Sequence, residues 1–236
     1  MREQPEQQAP PVQRLRVRYA KRGRLRFTSH RDFSRAFERA LVRARIPMAY
    51  SSGFNPHPRI SYAGASPTGA ASEAEYLEIG LAEVVDPASL ARDLDEALPA
   101  GLDVLAVVEA QPGSLAERLE ASRWEIELGL PREAVVPAVE AFLASTSVAV
   151  ERMTKKGLRT FDSRAAVLSL EVTARGAVSR VTLVLRHTEP AVRPDDVLAG
   201  LRNVGGVADV GSPRMTRLEQ GPLDGSSGAI GDPLSG

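Results

Sequence analysis

The residues best equipped for chemistry cluster near the start of the chain. In Ser51-Ser52-Gly53-Phe54-Asn55-Pro56-His57-Pro58-Arg59-Ile60, two prolines bracket a histidine. Gly53 and Asn55 tolerate turn dihedrals, and the prolines stiffen the backbone. Such a loop presents Gly53, Phe54, Asn55, His57 and Arg59 in fixed geometry. Its imidazole can contact phosphate, act as acid or base, or support a partner's cofactor site. The plainer alternative is a structural loop whose polar groups cap nearby backbone. A second group is Ser29-His30-Arg31-Asp32. Ser29 suits a helix N-cap, and the free N–H groups behind it suit a phosphate or carboxylate. Plain capping explains the same residues. His30, His57 and one Asp lack tight metal-ligand spacing, so no metal and no cofactor is expected. No residue is assigned a catalytic role.

Two further segments carry charge in a pattern. Ser66-Pro67-Thr68-Gly69 precedes Ser72, Glu73 and Glu75. It can hold backbone N–H groups toward an anion, or serve as a turn positioning the acidic strand, and Glu73 and Glu75 read as a carboxylate pair for acid–base work or as solvated edge charges. Lys155-Lys156-Gly157-Leu158-Arg159-Thr160-Phe161-Asp162-Ser163-Arg164 holds four basic residues and one aromatic. Lys155, Lys156, Arg159 and Arg164 can grip a phosphate backbone or an acidic protein, or simply face water.

Periodicity supplies the elements that must hold these groups. Leu15 to Tyr19 alternates as a strand, and Leu25-Arg26-Phe27 extends that pattern. A helix from Ser29 to about Arg45 carries Phe33, Phe37, Ala40, Leu41 and Ala44 on one apolar stripe. Arg31, Arg35, Arg39, Arg43 and Arg45 lie off it, and Pro47 ends it. Strands follow near 59–63 and 75–81. Asp86-Pro87 opens a helix to about residue 98, and 102–108 is again a strand. That order is βαββαβ, the ferredoxin-like arrangement. After a linker at 109–121 it recurs more loosely: strand 123–128, helix 131–144, strand 148–153, hairpin 167–185, a short helix at 194–201 and a strand at 215–218. Trp124 and Phe142 read as core. The sequence therefore predicts an α+β chain of tandem ferredoxin-like domains at 12–110 and 121–220. The tails at 1–11 and 221–236 read as disordered.

Composition bounds the function. The 236 residues include no cysteine, which removes disulfides, thiolate metal sites and cysteine nucleophiles from this chain. No apolar run approaches about 18 residues, and the polar Gln- and Pro-rich start lacks a signal peptide's apolar stretch. A cytoplasmic protein without a membrane partner is expected. The zero net charge hides a split. Residues 12–60 hold thirteen Arg and Lys against two acids, and residues 61–120 hold two Arg against twelve acids. These blocks either form a partner surface or pair with each other. No P-loop, dinucleotide fingerprint, HExxH or GxSxG occurs.

Arg26-Phe27-Thr28-Ser29-His30-Arg31-Asp32, the loop Ser52 to Pro58, Ser66-Pro67 with Gly69, Ser72, Glu73 and Glu75, and the basic segment from Lys156 through Asp162 and Arg164 together resemble the radical-SAM-linked protein family. That family is a bacterial domain of unknown function (DUF2344-like), found in actinobacteria and other bacteria. The resemblance covers roughly residues 12–220. It implies association with a separate radical SAM enzyme and company with RNA metabolism. Three function classes follow: an accessory module that binds RNA or presents a substrate, a protein-docking subunit of a radical SAM enzyme, and an RNA-processing enzyme using His30 and His57.

Overall fold

The computed structural model describes residues 7–154, 157–207 and 212–235. The chain is a mixed α+β fold that divides into two compact units. The first comprises Met1–Arg118 with Pro233–Gly236, and the second Leu119–Asp232.

In the first unit, strand β1 (Gln13–Lys21), helix α1 (His30–Arg43), strands β2 (Ile60–Ala63) and β3 (Ala71–Leu81), helix α2 (Pro87–Ala97) and strand β4 (Leu102–Glu109) follow in order. Their strands lie β4-β1-β3-β2, every neighbouring pair antiparallel. Alternation along β1 decides what each sheet face carries. Leu15, Val17 and Tyr19 turn inward with Leu77, Ile79 and Leu81, and α1 and α2 close over them with Phe33, Phe37, Leu41, Leu90 and Leu94. Ser29 caps α1 as expected, its hydroxyl accepting the Asp32 N–H. Arg45, just past the helix, takes a left-handed φ of 54°, a position that usually selects glycine.

The opposite face of this sheet carries the charge split. Arg16 stands directly across from Glu78, and its Nε donates to that carboxylate at 3.2 Å. Arg14 reaches the same carboxylate. Arg22 pairs with Glu73 and Asp103. Part of the basic block, Arg14, Arg16 and Arg22, is thus neutralised by the acidic block within one unit. Arg16 is fully buried, and one of its terminal nitrogens holds the Gln111 and Gly113 carbonyls at 2.9 and 2.7 Å. The expected linker is thus fastened at its start.

Two local expectations are corrected. Leu25-Arg26-Phe27 is not extended but lies in a 3-10 turn over Gly23–Phe27. Arg22 donates its backbone N–H to the Gly101 carbonyl, one step past the Lys21–Leu102 pair, and its own carbonyl then accepts from Leu25, which coils the chain. The stretch 221–236 is not a bare tail either. Gly221 ends a strand, Leu223 bridges Ile230, and Asp224 accepts N–H groups from Ser226 and Ser227 in a tight turn. Those bonds, with the Ser226 hydroxyl, hold the Asp224 carboxyl at about 2. Serine and aspartate in a glycine-rich stretch here build a turn rather than a coil.

The second unit runs β5 (Ala121–Leu128), α3 (Arg132–Ala144), β6 (Ala149–Thr154), β7 (Gly157–Asp162), β8 (Val167–Arg175), β9 (Val178–Arg186), α4 (Pro194–Gly205) and β10 (Arg214–Gly221). Its main strands lie β10-β5-β9-β8, while β6 and β7 form a separate hairpin. Trp124 and Phe142 are core, as expected. Helices α3 and α4 touch so closely that a Cβ on Gly205 would fall on Ala138. The segment read as a basic loop supplies β7, which pairs Arg159 with Arg152 and Phe161 with Val150. No described helix is long and apolar enough to cross a membrane.

Candidate functional site

The N-terminal end of α1 gathers several of the singled-out residues. Ser29, besides capping the helix, donates its hydroxyl to the Asp32 carboxylate at 2.7 Å. Both first-turn polar groups are thus spent on the helix end. His30 is exposed, and its ring packs edge-on against Tyr62 at 4.9 Å. Tyr62 also meets Phe33, which stacks on Tyr19 at 4.8 Å. Burial pushes the Tyr62 phenol pKa up. The 3-10 turn precedes this end, and the Ser66 to Gly69 loop docks on it, the Gly69 N–H donating to the Arg26 carbonyl at 2.7 Å.

Glu75 is not a solvated edge charge. It is 2% exposed, opposite Tyr19, and accepts the buried Ser66 N–H at 3.1 Å. The physical reason is register: Glu75 falls on the face that its neighbours Leu77 and Ile79 bury. Glu73 is held by Arg22. The two carboxylates therefore anchor loops and strands.

The proline-bracketed loop stands at the other end of β2. Ser51 closes it twice: its N–H donates to the His57 carbonyl at 2.9 Å, and its hydroxyl accepts the His57 N–H at 3.0 Å. Arg59 Nε donates to the Tyr50 carbonyl at 3.1 Å. Gly53 takes a φ of 127°, open to glycine and strained for other residues. With the backbone satisfied internally, the side chains of Phe54, Asn55 and His57 are left exposed, Phe54 at 66%. His57 and Tyr62 are five residues apart, a span of roughly 16–17 Å at strand rise. His30 sits at the Tyr62 end. No contact among the described residues joins the two histidines.

The helix arginines separate into two classes. Arg43 donates to the Ala97 carbonyl at 3.1 Å and ties α1 to α2. Arg31, Arg35 and Arg39 are exposed, and their side chains have no hydrogen-bond or ion-pair partner among the described residues. They recur every four residues, on the side of α1 opposite its apolar stripe. Just before α1, in the 3-10 turn, Phe27 is 60% exposed with the Arg26 guanidinium lying over its ring at 4.6 Å. The alternating pattern that suggested a strand there hid this exposed aromatic. Its only signal was the adjacent run of basic residues.

In the second unit, Arg164 donates to the Val167 and Leu143 carbonyls and is structural. Asp162 is partly desolvated, which would raise its pKa, yet N–H groups from Val148, Ala165 and Arg164 hold it below the usual carboxylate range. Arg159 is exposed on β7. Lys155 and Lys156 lie outside the described residues. Among the described residues no cluster of His, Cys, Asp and Glu is arranged to hold a metal.

Comparison with solved structures gives low similarity. A chain of a Cbf5-Nop10-Gar1 complex is 9% identical with a TM-score of 0.47, covering 92% of this chain and 55% of its own. The present chain thus spans about half that chain's length. A protein from Galdieria sulphuraria is 17% identical over 88% of this chain and 99% of its own, with a TM-score of 0.25. No curated protein matches the chain. The family model described as an uncharacterized protein conserved in bacteria (DUF2344) matches residues 14–194, which takes in α1, both loops and the basic hairpin. With most of its length matched, the chain belongs to the DUF2344 family of bacterial proteins.

Proposed function

We propose that this chain is a non-catalytic accessory module that binds RNA through the outer face of α1 and works beside a separate radical SAM enzyme. One observation carries the RNA reading. The arginines of β1 are engaged within the unit, Arg14 and Arg16 by the Glu78 carboxylate and Arg18 by the Glu73 carbonyl, whereas Arg31, Arg35 and Arg39 are held out in a row without a partner among the described residues. Exposed cations of one sign, spaced one helical turn apart, suit a phosphate backbone, and arginine's planar fork donates to phosphate in pairs. Partnership with a radical SAM enzyme rests on the motif resemblance. The accessory assignment is supported by the separation of His30 from His57, which leaves no two-histidine constellation among the described residues. Each unit is read as a split βαβ fold. The β4-β1-β3-β2 order supports this in the first, and the β10-β5-β9-β8 order with an added hairpin supports it in the second.

Titration of labelled transfer and ribosomal RNA fragments at two salt concentrations tests the proposal. The Arg35→Ala/Arg39→Ala double variant should bind more weakly and lose about 0.7 to 0.9 in salt slope per phosphate contact removed. Its folding should hardly change, because exposed charges stabilise little. Equal affinity for both proteins, or no binding at low salt, rejects the RNA reading and leaves protein docking.

A further inference from the structure

The exposed aromatic beside the arginine row narrows the ligand. We infer that the site takes a single strand, with one unpaired base stacked on Phe27 and the phosphates that follow it laid along Arg31, Arg35 and Arg39. This rests on the RNA reading above and names the form of RNA.

Phe27 is unusual for its position. A phenylalanine that keeps 60% of its surface in water gives up most of the burial that normally places it in a core. Nothing in the first unit's core requires it, since α1 already fills that space with Phe33 and Phe37. One face of its ring is occupied by the Arg26 guanidinium, whose side chain makes no hydrogen bond with a described residue. The guanidinium holds one face of the ring, and the ring surface left in water can stack any base, since every base has a π-face. Phe27 lies two residues before the N-cap of α1, so the stacking surface sits at the start of the row. From Arg31 to Arg39 the helix rises about 12 Å, about 6 Å from one arginine to the next. That is near the separation of successive phosphates in an extended strand. Arg24, exposed in the same 3-10 turn, adds a further cation at that end. The neighbouring carboxylate of Asp32 is engaged by Ser29. A duplex cannot use this site fully, because its bases are already stacked on each other.

Fluorescence anisotropy with a labelled 12-nucleotide single strand and a blunt duplex of the same sequence tests the inference on the full chain. Wild type should prefer the single strand. Phe27→Ala should weaken single-strand binding roughly 5- to 100-fold, leave the salt slope unchanged and leave duplex affinity unchanged. Phe27→Trp should restore binding, which a merely structural role would not explain, and thermal melts should show both variants folded. If Phe27→Ala binds the single strand like wild type while Arg35→Ala/Arg39→Ala does not, stacking is wrong and the phosphate reading stands. If wild type prefers the duplex, the single-strand assignment fails. If wild type binds neither, the RNA reading falls and this inference with it.

Discussion

Arg16 and Arg35 carry the same charge and meet opposite fates. Arg16 is buried beside Glu78 and two carbonyls, and removing one partner of such a pair strands the other in low dielectric. Arg35 is exposed and has no partner among the described residues, and on the reading proposed above it is held for a phosphate. Residue type alone does not separate them. The third histidine shows how a single group couples to conditions. His187 is placed between the Leu119 carbonyl at 2.6 Å and the Ser122 hydroxyl at 3.1 Å, and that hydroxyl also accepts the Trp124 indole N–H. Burial of the ring, joined by the charge of Arg217, pushes its pKa down against the opposing Leu119 bond. The unfolded chain therefore takes up the proton first. The stability that neutral His187 provides is intact above the unfolded value of about 6.5 and declines as pH falls from there through the lower folded value. Urea unfolding of the second unit should show this slope between pH 7 and 5. His187→Gln should flatten it, and an unchanged slope would assign the effect to other groups.

At the scale of elements, α1 works with two faces. Its inner face holds the sheet, and Phe37, wholly buried among Tyr19 and Phe33, is its centre. Phe37→Ala should cost about 3–5 kcal/mol in urea unfolding, whereas the exposed arginines of the same helix should cost little. The helix was readable because a 3.6-residue period, a serine cap and a following proline agree. So were β1, β3 and α2, where alternation or an Asp-Pro start coincides with burial. Two elements were not. The 3-10 turn alternates like a strand, and the chain leaves the ladder only where the Arg22 carbonyl accepts the Leu25 N–H after the last cross-strand bond to Gly101. Strand β7 is exposed at its first four residues and held mainly by β6, so neither face leaves an apolar period. The site was legible in part for the same reason. Exposed arginines follow from the helical wheel, but the burial of Glu75 and the exposure of Phe27 depend on strand register and loop docking, which sequence spacing does not carry.

At the scale of the molecule, the chain leaves the first unit at Arg118 and comes back to it at Pro233. Near the start of the second unit Glu120 donates its N–H to the carbonyl of Gly221, the end of that unit's last strand. The return is a packed one: Leu234 is 6% exposed, and Arg118 donates to the Ser235 carbonyl. A chain stopped after Asp232 should lose about 1.5–3 kcal/mol from the first unit, roughly the worth of burying one leucine. Urea unfolding of that unit, compared with the full chain, checks it, and equal midpoints would show the last residues to be dispensable. The same closure sets a timetable for birth on the ribosome. Translation at about 5–20 residues per second delivers residues 233–236 roughly 6 to 24 s after Arg118 has been made. An N-terminal domain ordinarily folds while its successor is still being synthesised. Here the first unit gains the packed Leu234 only after the second has been made, so its last contacts form after its successor's synthesis.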